Sequence, residues 1–301
     1  MNILITGANG QLGRDCQAVF GDRHALTCVD IEDLDITRPD RVLAFVRQAR
    51  PEVIINCAAF TLVDQCETQK RLAWAVNVTG AENLAAGAAE CGALMVHIST
   101  DYVFDGKKIF PESYVETDET APLSYYGVTK RESERTVARC TDRHLILRTA
   151  WLYGFSGHNF IKAILKKALA APDQPLKVVN DQYGSPTWSL TLARQIDELI
   201  DPPAQGLYHA SAEGACTWFE FARYFLEKLN VPNRIVPCQT REYPTPAVRP
   251  ACSILENRRL KAENRNRMGA WQKDLDDYLD RYGETLLEQC RPLTSTDGKS
   301  P

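Results

Sequence analysis

Tyr126 and Lys130, four residues apart in "SYYGVTK" (124–130), are the pair in this chain best suited to moving a proton. On a helix, residues four apart lie one above the other on the same face. The adjacent Tyr125 then points elsewhere. A lysine held beside a phenol favours the phenolate and lowers its pKa from about 10. Tyr126 is therefore a candidate acid–base group near neutral pH. The same spacing also suits an ordinary surface helix, so the surrounding elements must decide between the two.

A second cluster lies at the start of the chain. "GANGQLG" (7–13) directly follows an apolar strand, "NILIT" (2–6), and opens a helix. Gly7 permits a tight turn, Gly10 lets the backbone approach a pyrophosphate, and Gly13 allows close helix–strand packing. The helix N-terminus then faces the phosphate charge. Asp30 ends the next strand, seventeen residues beyond Gly13. An acidic residue there accepts hydrogen bonds from an adenosine ribose and disfavours a 2′-phosphate. That leans towards NADH, although Arg14, just past the loop, can accommodate NADPH.

The elements that must position these residues alternate regularly over the first 150 positions. Strands are expected at 2–6, 25–30, 52–59, 94–100 and 144–149, and helices follow from Leu12, from 39 to 49, and from about 68 to 91. Strands alternating with helices imply a Rossmann-type doubly wound parallel sheet covered on both faces, an α/β fold. Further on, helices are expected at 159–170, 189–200 and 217–229, the last opened by a Thr217/Glu220 capping box. Strands are expected near 176 and at 206–211, and "EYPTPAVRP" (242–250) is too proline-rich for regular structure. The expected organisation is a dinucleotide-binding domain over 1–155, to which the chain returns around 176–225. An interleaved, smaller α+β substrate domain fills 156–291, and a disordered tail covers 292–301.

Bulk properties narrow the class. A net charge of −4 argues against a nucleic-acid binder. No apolar run approaches the ~20 residues of a membrane span, and the N-terminus reads as a strand rather than a secretory signal. Ten scattered cysteines with no C-x-x-C pair suit a reduced cytoplasmic protein.

"TGANGQLG", "NCAA", "HISTDYVFDG" and "YGVTK" together resemble the extended short-chain dehydrogenase/reductase superfamily. Within it, "ETDETAPLSYYGVTK", "RTAWLYG", "NDQYGSPT", "YPTPAVRP" and "TWFEFA" are most similar to the dTDP-4-dehydrorhamnose reductases. The resemblance runs from residue 1 to about 280. It implies NAD(P)H-dependent reduction of the 4-keto group of dTDP-4-dehydro-L-rhamnose, the last step of dTDP-L-rhamnose synthesis. It implies that Tyr126 is the catalytic tyrosine, Lys130 its lysine and Thr100 the active-site hydroxyl residue. Cofactor contacts are implied for Gly10, Gln11, Leu12, Asp30, Asp35, Ile36, Ala59, Phe60 and Thr61. Substrate contacts are implied for Thr100, Asp101, Trp151 and, less directly, Arg249. Asp64 and Glu67 in "VDQCE" are expected to be structural, capping the long helix that follows.

Other outcomes of the same resemblance differ in testable ways. Dehydratases of the superfamily carry Thr-Asp-Glu where this chain has Thr100-Asp101-Tyr102, and a phenol replaces that carboxylate poorly. A 4-epimerase would hold its cofactor tightly. A non-catalytic regulatory subunit, like that of methionine adenosyltransferase, would be signalled by loss of the tyrosine or lysine, and both are present. Some reductases of this group have an acidic residue after "NDQYG-x-PT" for a metal-linked dimer. Leu190 stands there in this chain and cannot ligate Mg²⁺. No metal is expected, and a monomer or weak homodimer is. Asp30→Ala should weaken NADH binding more than NADPH binding; equal effects in a fluorescence titration would remove Asp30 from the cofactor site.

Overall fold

The computed structural model describes residues 1–292; the rest of the tail expected at 292–301 lies outside the described residues. In chain order the elements are β1 (Asn2–Thr6), α1 (Gln11–Phe20), β2 (Ala25–Val29), α2 (Pro39–Ala49), β3 (Val53–Asn56), α3 (Val63–Thr68) and α4 (Lys70–Trp74). A π-helical turn (Ala75–Thr79) leads into α5 (Gly80–Cys91), β4 (Leu94–Thr100), a 3₁₀ turn (Asp101–Val103), α6 (Tyr125–Cys140) and β5 (His144–Thr149). Then come β6 (Leu152–Tyr153), α7 (Phe160–Ala170), β7 (Leu176–Val179), β8 (Tyr183–Gly184), β9 (Thr187–Trp188), α8 (Ser189–Ile200) and β10 (Gly206–His209). The described chain closes with β11 (Cys216–Thr217), α9 (Trp218–Lys228), β12 (Ile235–Cys238), α10 (Arg258–Ala262) and α11 (Trp271–Cys290).

Six strands form one parallel sheet in the order β10-β5-β4-β3-β1-β2. Alternation along the strands divides the core in two. Ile3, Ile5, Val53 and Ile55 meet Leu12, Cys16 and Phe20 of α1 and Leu192 and Ile196 of α8. Leu4, Ile54, Met95 and Ile146 meet Val42 and Val46 of α2, Leu84 and Ala88 of α5 and Val137 of α6. Both faces are therefore dry, which is why these strands read as continuous apolar runs rather than alternating ones. Each fully buried Ile or Leu contributes about 1.5–3 kcal/mol. The strand order reverses at β1, which pairs with β2 on one side and β3 on the other. In an open parallel sheet, that reversal leaves a crevice at the carboxyl ends of the strands.

A second apolar cluster joins α7, α9 and α11 through Ile161, Leu165, Phe221, Phe225, Trp271, Leu275 and Tyr278. The sequence pattern above names no element over 271–290, yet the longest described helix forms there. Its buried Trp271, Leu275, Tyr278, Leu279 and Leu286 keep a helical period within a heavily charged stretch. The single helix expected over 68–91 is instead broken into α4, the π turn and α5. The π turn places Asn77 inward. There its side chain accepts from Phe60 N at 2.7 Å, donates to Phe60 O at 3.2 Å and donates to Thr129 Oγ1 at 3.0 Å. Such turns recur where a helix must re-aim one side chain. Asn77→Ala should leave both backbone groups of Phe60 unpaired and lower Tm by several degrees, from about 1–3 kcal/mol of lost satisfaction; an unchanged melting curve would show that the clamp contributes nothing.

Candidate active site

The carboxyl ends of β1, β3, β4 and β5 surround a cleft of about 410 Å³. Its floor begins at the glycine loop. Gly7 lies at φ +65°, and a Cβ there would sit 2.6 Å from Ala58 N; a Cβ on Gly13 would sit 2.3 Å from Gly7 O. Side chains at either position would push the loop off β3 and off itself. Gly10 precedes α1 with no side-chain cap, so the first amides of α1 face the cleft region unclaimed by any side chain. Gly10, Gln11, Leu12 and Gly13 line the cleft, and Ala59 and Thr61 after β3 continue the wall.

The opposite wall carries the proton-handling groups. Thr100 is the last residue of β4, and its hydroxyl donates to Asp101 Oδ1 at 2.9 Å while accepting from Tyr102 N at 3.2 Å. Tyr126 is the second residue of α6, and Lys130 follows one turn later on the same helix. Thr100, Asp101, Tyr126 and Lys130 all open onto the cleft. Tyr125 does not; its ring lies under the Lys70 ammonium at 5.2 Å. The helix-face assignment made from spacing is thus the one the fold adopts.

The electrostatic expectation for the pair needs correcting. Burial pushes the Tyr126 phenol well above its usual range, the Asp101 charge adds to this, and the Thr100 hydroxyl pulls slightly the other way. Lys130 is not among the leading influences on it. Burial drives the Lys130 ammonium itself down to about 8, with Glu134 pulling it back up. Both groups have lost their water, so desolvation outweighs their mutual influence. Tyr126 is consequently a protonated donor at neutral pH. Asp101, almost wholly buried, is pushed up to about 6 by burial against the Ser253 and Thr100 hydroxyls. Its Oδ2 is buried with no hydrogen-bond partner.

Behind these residues runs a satisfied polar chain. Thr6 Oγ1 donates to Asn56 Oδ1 (2.9 Å), Asn56 meets His97 (3.3 Å), His97 meets Ser133 Oγ (2.8 Å), and Ser133 donates to the Lys130 carbonyl (2.7 Å). Burial, then the Lys130 charge, holds His97 far below its usual pKa, so it stays neutral. Beside it, Glu134 accepts two bonds from Arg148, at 2.8 and 2.7 Å, wholly out of water. The cost of taking both charges out of water offsets much of their attraction, so such a pair is weak evidence of stability.

Trp151 also lines the cleft, in the left-handed region at φ 46°. Its indole stacks on Trp218 with centroids 3.4 Å apart and planes 5° apart. A Cβ on Gly184 of "NDQYGSPT" would reach 2.3 Å from that indole, so only glycine leaves room for it. A bulky residue at positive φ is an outlier that clusters at ligand sites.

Several candidates lie apart from this cleft. Arg249 gives both amino groups to Asp64, at 3.1 and 2.9 Å, and does not border the cavity. Asp30 accepts from Asn9 N at 2.9 Å, at the outer edge of the glycine loop, and Arg14 reaches the Asn9 side chain at 2.6 Å. Asp35 accepts from Thr37 N and Oγ1 within its own turn, and Ile36 is buried against Gly80. Phe60 is clamped by Asn77. Asp64 and Glu67 cap no following helix: Asp64 holds Arg249, and Glu67 accepts from Tyr125 N at 2.7 Å. Leu190 is buried in the second apolar cluster. The cleft also contains Tyr102, Trp218 and His158, none of which the sequence marked as a site residue. Trp218 was hidden by the apolar period of α9, and His158 carried no signal.

The RmlD substrate binding domain model matches residues 1–284. The chain belongs to this family. The dTDP-4-dehydrorhamnose reductase of Escherichia coli K12 is 37% identical over 287 residues, covering 90% of this chain and 95% of that protein. A dTDP-4-dehydrorhamnose reductase structure from Clostridium acetobutylicum superposes with a TM-score of 0.90 at 43% identity, covering 94% of this chain and all of that one. A Bacillus anthracis dTDP-4-dehydrorhamnose reductase, in complex with NADP, gives 0.89 at 38% identity over 93% and 98% of the two chains. The similarity to these RmlD-family proteins spans both the sheet and the second cluster, so the whole cleft falls inside it.

The raised Asp101 carboxyl makes stability depend on pH. Its folded pKa lies above its ordinary 3.8, so its ionisation opposes folding. The penalty is absent below pH 3.8 and complete above about pH 6, roughly 3 kcal/mol at 1.36 per pKa unit. Asp101→Asn should therefore gain stability relative to the wild type as pH rises from 4 to 7 in urea unfolding. A constant difference across that range would place Asp101 in water.

Proposed function

We propose that this protein reduces the 4-keto group of dTDP-4-dehydro-L-rhamnose to give dTDP-L-rhamnose, using NADH or NADPH. The observation that carries the reading is one cleft with a glycine loop on one wall and Thr100, Tyr126 and Lys130 on the other. The residues fit a dinucleotide: glycines at 7 and 13 let the loop fold tightly against β3 and itself, and the uncapped amides of α1 favour a diphosphate's charge. Gly7, Gly10, Gln11, Leu12 and Gly13 hold the diphosphate. Asp30 faces the adenosine ribose, and Arg14 beside it serves a 2′-phosphate. Asp35 and Ile36, outside the cleft itself, are assigned towards the adenine; Ala59 and Thr61 complete the wall, and Phe60 between them is fixed by Asn77.

When bound, the reduced nicotinamide supplies a hydride to the sugar carbonyl carbon. The carbonyl oxygen gains negative charge and needs a proton at once. Tyr126 gives it, being protonated at neutral pH through burial. The Thr100 hydroxyl, turning its hydrogen from Asp101 Oδ1, donates to the same oxygen and fixes its direction. Lys130 holds the nicotinamide ribose hydroxyls and returns a proton towards Tyr126 after transfer. Asp101 receives a sugar hydroxyl on its unpartnered Oδ2, and Trp151 on Trp218 gives the substrate a flat apolar wall. Arg249 acts near the substrate only indirectly, through its bonds to Asp64 and its charge near the Tyr102 phenol.

All ten cysteines are free thiols, which suits the reducing cytoplasm. Among the described residues, no helix is long and apolar enough to cross a membrane. With Leu190 packed in the core, we place the chain as a monomer or weak homodimer without a bridging metal. A Mg²⁺-dependent mass change by ultracentrifugation would overturn that.

The deciding experiment incubates the protein with dTDP-4-dehydro-L-rhamnose and each cofactor, follows absorbance at the reduced-nicotinamide band and identifies the sugar by NMR. Oxidation of added cofactor with formation of dTDP-L-rhamnose is expected. Tightly bound NAD⁺ with no consumption of NADH would favour a 4-epimerase instead. Tyr126→Phe should fold and bind NADPH but lose roughly 10²–10⁴-fold in kcat, while Tyr125→Phe loses little. Equal losses would show that the two rings share the work.

A further inference from the structure

The short helix α3 carries two carboxylates three residues apart, and they serve different neighbours. Glu67 Oε1 accepts from the backbone N–H of Tyr125 at 2.7 Å. Tyr125 opens α6, and the next residue is Tyr126. Asp64 takes both amino groups of Arg249 and also accepts from Ala247 N at 3.2 Å. Arg249 and Tyr102 also act on each other electrostatically, the guanidinium pulling the buried phenol back down from its raised pKa. The Tyr102 ring in turn meets the Tyr126 ring edge-on, with centroids 5.7 Å apart and planes at 76°.

The first turn of α6 has little freedom between these contacts. A Cβ on Gly127 would come 2.2 Å from the Tyr102 carbonyl oxygen, so the helix already presses on the 3₁₀ turn. Ser124 caps Gly127 N from within, and Asn77 holds Thr129 from the far side. Glu67 adds the outward anchor, and its charge suits the positive end of α6. Neither Glu67 nor Asp64 borders the cleft, so neither can touch substrate or cofactor there.

We propose that α3 is a positioning bracket for the reaction: Glu67 sets the depth of Tyr126 through the Tyr125 amide, and Asp64 sets the sugar-side wall through Arg249 and Tyr102. The inference rests on Tyr126 being the proton donor. Proton transfer depends steeply on geometry, and a displacement of about 1 Å can cost about 10²-fold. Glu67 therefore acts on kcat, and Asp64 acts on KM for the sugar.

The test uses full-length protein with dTDP-4-dehydro-L-rhamnose and NADPH. Glu67→Ala should lower kcat about 10–100-fold while the Kd for NADPH stays within about twofold. Glu67→Gln keeps an acceptor oxygen in place and should restore kcat to within about threefold of wild type. Asp64→Ala should raise KM for the sugar about tenfold with a smaller change in kcat, and the exchanged pair Asp64→Arg with Arg249→Asp should recover most of it. Parallel loss of kcat, cofactor affinity and Tm in Glu67→Ala without rescue by Gln would make Glu67 merely structural and overturn the bracket. So would an unchanged kcat. If the wild-type protein turns over none of this sugar, the functional reading falls separately. The bracket is then decided by hydrogen exchange: Glu67→Ala must speed exchange at the Tyr125 amide at least about tenfold and Glu67→Gln must not.

Discussion

Everything at this site depends on keeping a phenol and an ammonium out of water on the same turn of one helix. Lost hydration moves their pKa values in opposite directions, Tyr126 upward and Lys130 down to about 8. The proton therefore sits on the phenol, ready to be given, while the ammonium is poised to replace it. Burying two such groups is costly unless each has partners. The compensation is partial: Glu134, one turn below, pulls the Lys130 ammonium back up, and the Thr100 hydroxyl pulls the Tyr126 phenol back down. A cheaper, wetter arrangement would give a lysine that is always charged and a tyrosine open to bulk water.

The sheet makes that burial possible. Parallel strands covered on both faces end together at one edge, and the reversal at β1 opens that edge between two helical layers. The glycine loop, the end of β4 and the first turn of α6 all arrive there without any long excursion of the chain. The second cluster adds what the sheet lacks, an aromatic wall. Trp151 takes a backbone conformation that a tryptophan rarely adopts, and Trp218 and Gly184 hold it there from either side. Strain at one residue is thereby supported by two elements distant in sequence.

The likeness to dTDP-4-dehydrorhamnose reductases covers this whole assembly. The local chemistry agrees with a reductase in one further respect. Tyr102 is the third residue of Thr100-Asp101-Tyr102, beside the Tyr126 ring, where elimination chemistry would need a carboxylate. A buried phenol with its pKa raised far above neutrality offers no base there.

Local pattern was enough for much of this molecule. Branched apolar runs followed by amphipathic periods specify β1 to β5 and their helices, though not the break between α4 and α5, because a doubly covered parallel sheet requires that alternation. The Gly7–Gly13 spacing and the four-residue step from Tyr126 to Lys130 are legible because turns and helices have fixed periods. What only the tertiary structure decided was environment and partnership. Whether Lys130 lowers the phenol depends on how much water each keeps, and no spacing records that. Asp64 and Glu67 look like caps for the helix after them, but they bind groups more than fifty residues away. Arg249 is spent on Asp64, and Trp218 turns from a core position into a cleft wall. Sequence fixes what each side chain can do through its chemistry and local period. Which neighbour it does it with is set by contacts between distant segments, and these exist only once the chain has folded.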